Sequence, residues 1–279
     1  MAAASPGALL REVVKDATVQ VPGAPNALAA RMAEREGFAA VYFSGAAMSA
    51  GVMAMPDIGL FTLTELAQQA RFVCRSTRLP VIVDADTGFG DVDNVRRTIA
   101  ELELAGAAAV QLEDQQLPKR CGHLSGKTLI KPDHMCEKIS AAVDAKRDND
   151  LVIIARTDAR AVEGLPEAIE RAQQYLAAGA DWIFPEALQS KQEFDQFADA
   201  IDAPLVANMT EFGKSPLLTL DELAQLGYAC VLYPVTLLRI AMKAMEAALA
   251  VIGEEGSQES MLDLMQTREE LYDILEYEP

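Results

Sequence analysis

Four times along this 279-residue chain a helical stretch ends in glycine and an apolar run follows at once. The segments are Glu36-Gly37-Phe38-Ala39-Ala40-Val41-Tyr42-Phe43, Ala105-Gly106-Ala107-Ala108-Ala109-Val110-Gln111-Leu112, Ala178-Gly179-Ala180-Asp181-Trp182-Ile183-Phe184 and Leu226-Gly227-Tyr228-Ala229-Cys230-Val231-Leu232-Tyr233. Glycine just past a helix adopts the left-handed conformation without a Cβ clash, and a short apolar run after it is a buried strand. Leu79–Asp84, Leu151–Arg156 and Ala203–Asn208 supply strands of a second type, and Thr18–Pro22 a first, which makes eight. Helical patterns fill the gaps. Thr62-x-x-Glu65 and Thr219-x-x-Glu222 have the form of capping boxes, and Asn94, Pro132 and Pro166 sit near further helix starts. A helix from Thr236 to about Ile252 and another from about Gln258 to Glu276 close the chain. Strictly alternating strands and helices predict an α/β protein, a (β/α)8 TIM-type barrel with extra N- and C-terminal helices, as one domain over residues 1–279. The competing doubly wound sheet lacks its fingerprint, because Gly88-x-Gly90 is followed by Asp93 where a third glycine belongs.

Charge narrows the partners. Lys+Arg 24 against Asp+Glu 42 leaves −18, a surface that repels nucleic acid and anionic membranes. An anionic ligand would need a local metal ion or arginines to offset that field. The 51% hydrophobic content holds no uninterrupted membrane-length run, and Met1 to Leu10 lack the basic and apolar regions of a signal peptide. Cys74, Cys121, Cys136 and Cys230 form no CxxC pair, and with only His123 and His134 beside them they suggest neither a zinc site nor a disulfide framework. A reducing cytoplasm is the expected compartment.

In a barrel, chemistry gathers at the carboxyl ends of the strands. Those ends read Ser44-Gly45, Asp84 and Asp86, Glu113-Asp114, Arg156 and Asp158, Glu186, Asn208 and Thr210, then Tyr233. Ionisable or polar groups at seven consecutive ends would converge on one mouth. Asp84 and Asp86, at i and i+2, would point to one side of an extended segment, with Glu113 at the next strand end. Three carboxylates that close raise a pKa unless a cation neutralises them, and hard oxygen donors favour Mg²⁺ or Mn²⁺. The alternative is an N-cap role for Asp86 or Asp91. Two connections exceed ordinary loop lengths: Gly45 to Leu63, and Asp114 to Lys131. The second carries Lys119-Arg120-Cys121-Gly122-His123, where the flanking cations and imidazole should favour the Cys121 thiolate.

That pentapeptide resembles the signature of the isocitrate lyase/phosphoenolpyruvate mutase superfamily. Pro22–Ala27, Tyr42–Gly45, Asp84–Gly90, Phe184-Pro185-Glu186-Ala187, Asn208–Gly213, Tyr233-Pro234 and Met265–Arg268 are similar to its 2-methylisocitrate lyase branch. The resemblance implies cleavage of 2-methylisocitrate, a small tricarboxylate, to pyruvate and succinate in the methylcitrate cycle of propionate catabolism. It implies Mg²⁺ on Asp84 and Asp86, with Asp57 and Glu113 in the outer shell through water. It implies Cys121 as general acid/base and Arg156 as the group that steadies the developing oxyanion. Ser44, Gly45 and Ala46 would bind the half that becomes pyruvate, and Gly122, Glu186, Asn208, Met209, Thr210, Arg239 and Arg268 would complete the substrate site. In the superfamily the helix after strand eight is often exchanged between subunits, which implies a homo-oligomer, a tetramer. The alternative is that this helix covers its own barrel.

One departure stands out. The family's Ser-Gly-Gly reads Ser44-Gly45-Ala46-Ala47 here, and alanine serves only if position 46 needs no positive φ. The competing functions are another lyase of the superfamily, with isocitrate, dimethylmalate or oxaloacetate as substrate, and an inactive barrel kept as a binding protein.

Overall fold

A computed structural model describes residues 4–278. Its eight strands are β1 (Val19–Pro22), β2 (Val41–Phe43), β3 (Val81–Asp84), β4 (Ala109–Glu113), β5 (Val152–Thr157), β6 (Trp182–Pro185), β7 (Val206–Asn208) and β8 (Cys230–Tyr233). All pair in parallel, in two arcs ordered β2-β3-β4-β5-β6 and β1-β8-β7. Single bridges between Gly23 and Tyr42 and between Ile183 and Leu205 join the arcs, so the sheet closes into the expected (β/α)8 barrel. The strands are shorter than the apolar runs that announced them. Residues such as Phe38 to Ala40 or Ala107 lead from the preceding helix into the strand rather than pairing within it.

The helices are α1 (Pro6–Val13), α2 (Ala27–Arg35), α3 (Gly45–Met53), α4 (Leu63–Ser76), α5 (Val92–Ala105), α6 (Pro132–Ala145), α7 (Leu165–Ala177), α8 (Lys191–Ala200), α9 (Leu220–Gln225), α10 (Thr236–Glu255) and α11 (Arg268–Ile274). Both expected capping boxes form, at the starts of α4 and α9; two more, Asp91/Asn94 and Thr267/Glu270, start α5 and α11. Asp91 is thus a cap, whereas Asp86 is not.

Two expectations need correction. The connection from Gly45 to Leu63 opens with α3, whose N-cap Ser44 accepts a hydrogen bond from the Ala47 N–H. Its mean apolar character without a polar face hid it. The single helix expected from Gln258 to Glu276 is broken into a 3₁₀ stretch (Glu259–Leu264) and α11, because Met265 is extended and Thr267 caps a new start.

Side-chain alternation positions everything that follows. Ile82, Ala109, Val152, Ile154, Trp182, Phe184, Val206, Cys230 and Leu232 fill the barrel interior, while their neighbours Val83, Val110, Ile153, Ile183, Ala207 and Val231 pack outward against the helices. The next inward position on each strand is therefore at the carboxyl rim. Leu10 of α1 joins the inner cluster. Arg11 donates to the Asp150 carbonyl and pairs with Asp181 at 2.6 Å, both just ahead of strands, so α1 closes the opposite pole.

Candidate active site

Period-2 alternation carries Ile82 to Asp84, Gln111 to Glu113, Ile154 to Arg156, Phe184 to Glu186 and Val206 to Asn208, so five polar side chains rise from the apolar plug into one mouth. They border a cavity of about 350 Å³. Tyr42, Ser44, Asp57, Lys119, Arg120, Cys121, His123, Thr210 and Arg239 add to its polar wall beside the Ala46 and Gly122 backbone, while Phe184, Leu232, Pro234, Leu238 and Met242 make it apolar on one side.

The floor is acidic and buried. Asp84 accepts from the Gly45 N–H at 3.0 Å and from Gln111 Nε2 at 3.0 Å, and Tyr42 OH donates to Gln111 Oε1 at 2.7 Å, which fixes the amide's orientation. Asp86 adopts φ +47°, a costly conformation for a non-glycine residue, so the pair is not the extended segment expected. Both carboxylates nevertheless converge: a Cβ on Gly45 would lie 3.2 Å from Asp84 Oδ2 and from Asp86 Oδ1. Both Asp86 oxygens and Glu113 Oε1 are buried without a hydrogen bond. Lys119 Nζ forms an ion pair with Asp86 Oδ1 at 2.7 Å and also pairs with Asp57. Burial pushes the Asp86 carboxyl up to about 7, with Asp84 and Asp57 adding to the rise and Lys119 opposing it. Burial raises Glu113 well above the carboxylate range despite Arg156 and Lys119. The repulsion expected between these carboxylates is present.

Buried carboxylate oxygens without a hydrogen bond are what a hard cation would satisfy. Among the described residues no three or more His, Cys, Asp or Glu side chains form a preformed cage. An ion that retains water and takes one or two carboxylates plus substrate oxygens, as Mg²⁺ does, fits this donor set.

Across the mouth, Arg156 is held by Asp158 (Nε to Oδ2 3.0 Å), Glu186 (Nη1 to Oε2 3.4 Å) and Glu113 (Nε to Oε2 3.4 Å), with its guanidinium over the Phe184 ring. Burial would lower its pKa, but these carboxylates raise it well above the usual value, so it stays cationic. Glu186 shows the reciprocal effect: burial would raise it, yet Arg156 and His123 hold it down at about 2. The His123 Nε2 lies 2.7 Å from Glu186 Oε1, and its Nδ1 accepts from the Lys214 N–H at 2.9 Å.

The Cys121 loop reaches over this mouth. Its pKa corrects the expectation of a thiolate. Burial raises the thiol, and the neighbouring cations do little to offset it: Lys119 turns to Asp57 and Asp86, Arg120 reaches toward the Ser125 carbonyl, and His123 engages Glu186. Gly122 is required by space, since a Cβ there would meet Arg156 Nη2 at 2.3 Å and Glu186 Cγ at 2.5 Å.

The remaining expected site residues divide. Ser44 caps α3, and Ala46 lies within that helix, so alanine meets no positive φ there. Arg239 stands at the rim, 3.7 Å from Glu211, with its guanidinium over the Phe212 ring. Met209 is buried behind the wall, where its sulfur accepts from the Leu218 N–H. Arg268 is not brought to the cavity. It lies exposed at the start of α11, which is tied to α2 by Arg31 to the Ile274 carbonyl and by Arg35 to Asp273. Gln111 escaped the sequence reading, although its signal was available: it is the polar member of the inward series Ala109, Gln111, Glu113.

A closed barrel with an acidic floor, a buried arginine and a loop-borne thiol defines a class, and comparison with known proteins identifies it. Residues 10–252 match the phosphoenolpyruvate phosphomutase family, and the chain belongs to that family. It is 55% identical over 273 residues to the 2-methylisocitrate lyase of Aeropyrum pernix, covering 98% of this chain and 88% of the relative. The fold matches the crystal structure of 2,3-dimethylmalate lyase, a PEP mutase/isocitrate lyase superfamily member, with a TM-score of 0.92 at 34% identity, over 98% of this chain and 92% of that one. Phosphonopyruvate hydrolase in complex with oxalate and Mg²⁺ matches with a TM-score of 0.89 at 29% identity, over 98% of this chain and 95% of that one.

Proposed function

We propose that this chain is a Mg²⁺-dependent carbon–carbon lyase that cleaves 2-methylisocitrate to pyruvate and succinate in the methylcitrate cycle. The observation that carries the reading is the geometry: the Cys121 thiol and the buried Arg156 border one cavity, with unsatisfied carboxylate oxygens of Glu113 and Asp86 at its floor. Relatives of that description, 44% to 57% identical, support the substrate.

Asp84 and Asp86 would hold the metal, with Asp57 and Glu113 around it through water. When bound, the ion would polarise the hydroxyl and carboxylate oxygens of the half that becomes pyruvate. The chain supplies the rest. The first turn of α3 presents N–H groups at Ala46 for a carboxylate. Arg156, fixed by three carboxylates, meets the oxygen that gains charge as the C–C bond breaks. Cys121, neutral at pH 7, delivers its proton to the carbon that keeps the bond's electron pair in succinate, while the hydroxyl proton, lost as that C–O bond becomes the pyruvate carbonyl, passes to a carboxylate of the floor. Arg239 at the rim offsets the protein's negative field for the remaining carboxylate.

Twenty-residue α10 has no buried residue, and Leu237, Ile240, Met242, Met245, Leu249 and Ile252 are exposed. A second copy of this chain covers that face in a homo-oligomer, a tetramer, and the two-copy arrangement is where Arg268 would reach a site. The described residues include no helix long and apolar enough to cross a membrane, and the free thiols agree with a cytoplasmic setting.

Cys121→Ser tests the assignment. It should lower 2-methylisocitrate turnover by about 10²-fold or more while Mg²⁺-dependent pyruvate binding persists. Near-normal turnover contradicts the proton-donor role.

A further inference from the structure

Lys127 takes no part in the wall of the cavity, yet it is among the most deeply buried charges in the chain, with 1% of its side chain exposed. Burying an ammonium is costly unless its protons are matched. Here two are. Nζ donates to the Gly122 carbonyl, the residue next to Cys121, and to Asp158 Oδ1 at 2.6 Å. Asp158 is fully buried and grips Arg156 through Nε at 3.0 Å and Nη2 at 3.3 Å.

We propose that Lys127 is a positioning residue, a latch whose single ammonium ties the tip of the Cys121 loop to the carboxylate that orients Arg156. Several of the loop's other bonds lie within the loop or at its base, while Lys119 on Asp57 and Asp86 and His123 on Glu186 and the Lys214 N–H tie it to neighbouring segments. Gln116 N–H donates to the Thr128 carbonyl at 2.8 Å and Ile130 N–H to the Asp114 carbonyl at 2.9 Å. The Gln115 side chain spans the Arg120 backbone from both sides. These shape the loop without fixing how far its tip stands from β5. Lys127 sets that distance from beneath, as His123 on Glu186 does from the far side. The thiol and the guanidinium then hold their spacing through one shared cation. This inference rests on the lyase reading for its consequence in turnover, but the latch itself is a property of the loop.

The experiment compares the wild type with Lys127→Met, which keeps the stem and loses the charge, and Lys127→Arg, which keeps the charge. The first readout needs no substrate: the rate of iodoacetamide alkylation at Cys121, followed by mass spectrometry, beside the thermal midpoint. Loss of a buried charged hydrogen bond predicts alkylation about tenfold or more faster in Lys127→Met, with Lys127→Arg nearer the wild type. The second is steady-state kinetics with 2-methylisocitrate, where kcat should fall about tenfold or more and KM change less, again with recovery in the arginine variant. If Lys127→Met does not fold, Lys127→Gln takes its place. Unchanged alkylation in a folded neutral variant overturns the latch. Faster alkylation without turnover in any form, wild type included, upholds the latch and removes the substrate reading instead.

Discussion

At the scale of single residues the site runs on displaced protonation equilibria. Cys121 is the clearest case. Its thiol is raised by burial, with the Glu186 and Asp57 charges adding to the rise, so the neutral form dominates at pH 7 and the group suits proton donation. A raised thiol pKa means the thiolate appears only at higher pH. The alkylation rate of Cys121 should therefore climb with a midpoint above the ~8.5 of an unperturbed cysteine. A midpoint at or below that value contradicts the environment described here. Sequence alone pointed the other way, since Lys119, Arg120 and His123 are neighbours along the chain. Whether they are neighbours of the sulfur depends on which carboxylates they meet, and those lie on other segments of the chain. Residue identity was legible; residue pairing was not.

Elements were legible where local chemistry decides them. Both anticipated capping boxes form, and removing one has a defined cost: Thr219→Ala should destabilise the protein by about 1 kcal/mol and lower its thermal midpoint by roughly 2–4 °C without affecting catalysis, as differential scanning fluorimetry would show. No shift would mean that α9 is held by packing alone. The missed elements lack such marks. Helix α3 is nearly all small and apolar, so no amphipathic period announces it. The break between the 3₁₀ stretch and α11 follows from an extended Met265, which propensity does not foretell. The inward side chains Asp84, Glu113, Arg156, Glu186 and Asn208 could be read in advance because strand alternation fixes which way they face. Lys127 could not, because loops have no period.

For the whole molecule, the apolar α10 is the feature one chain leaves unexplained. Exposed leucine, isoleucine and methionine along twenty residues form the kind of surface that marks an interface. The double variant Ile240→Glu, Leu249→Glu should shift sedimentation from an oligomer to a monomer while the barrel remains folded, and a wild-type monomer at micromolar concentration would contradict the covered face. Net charge −18 bears on the cavity, where Arg156 and Arg239 supply local positive charge against the protein's own field. Metal, substrate and bond meet in one proposed reaction, so one assay tests all three. Pyruvate release from 2-methylisocitrate is followed with Mg²⁺ and with EDTA, and isocitrate is run in parallel. Pyruvate formation should be rapid and need Mg²⁺, with isocitrate turned over poorly. Glyoxylate from isocitrate as the faster reaction, or pyruvate formation indifferent to EDTA, would contradict it.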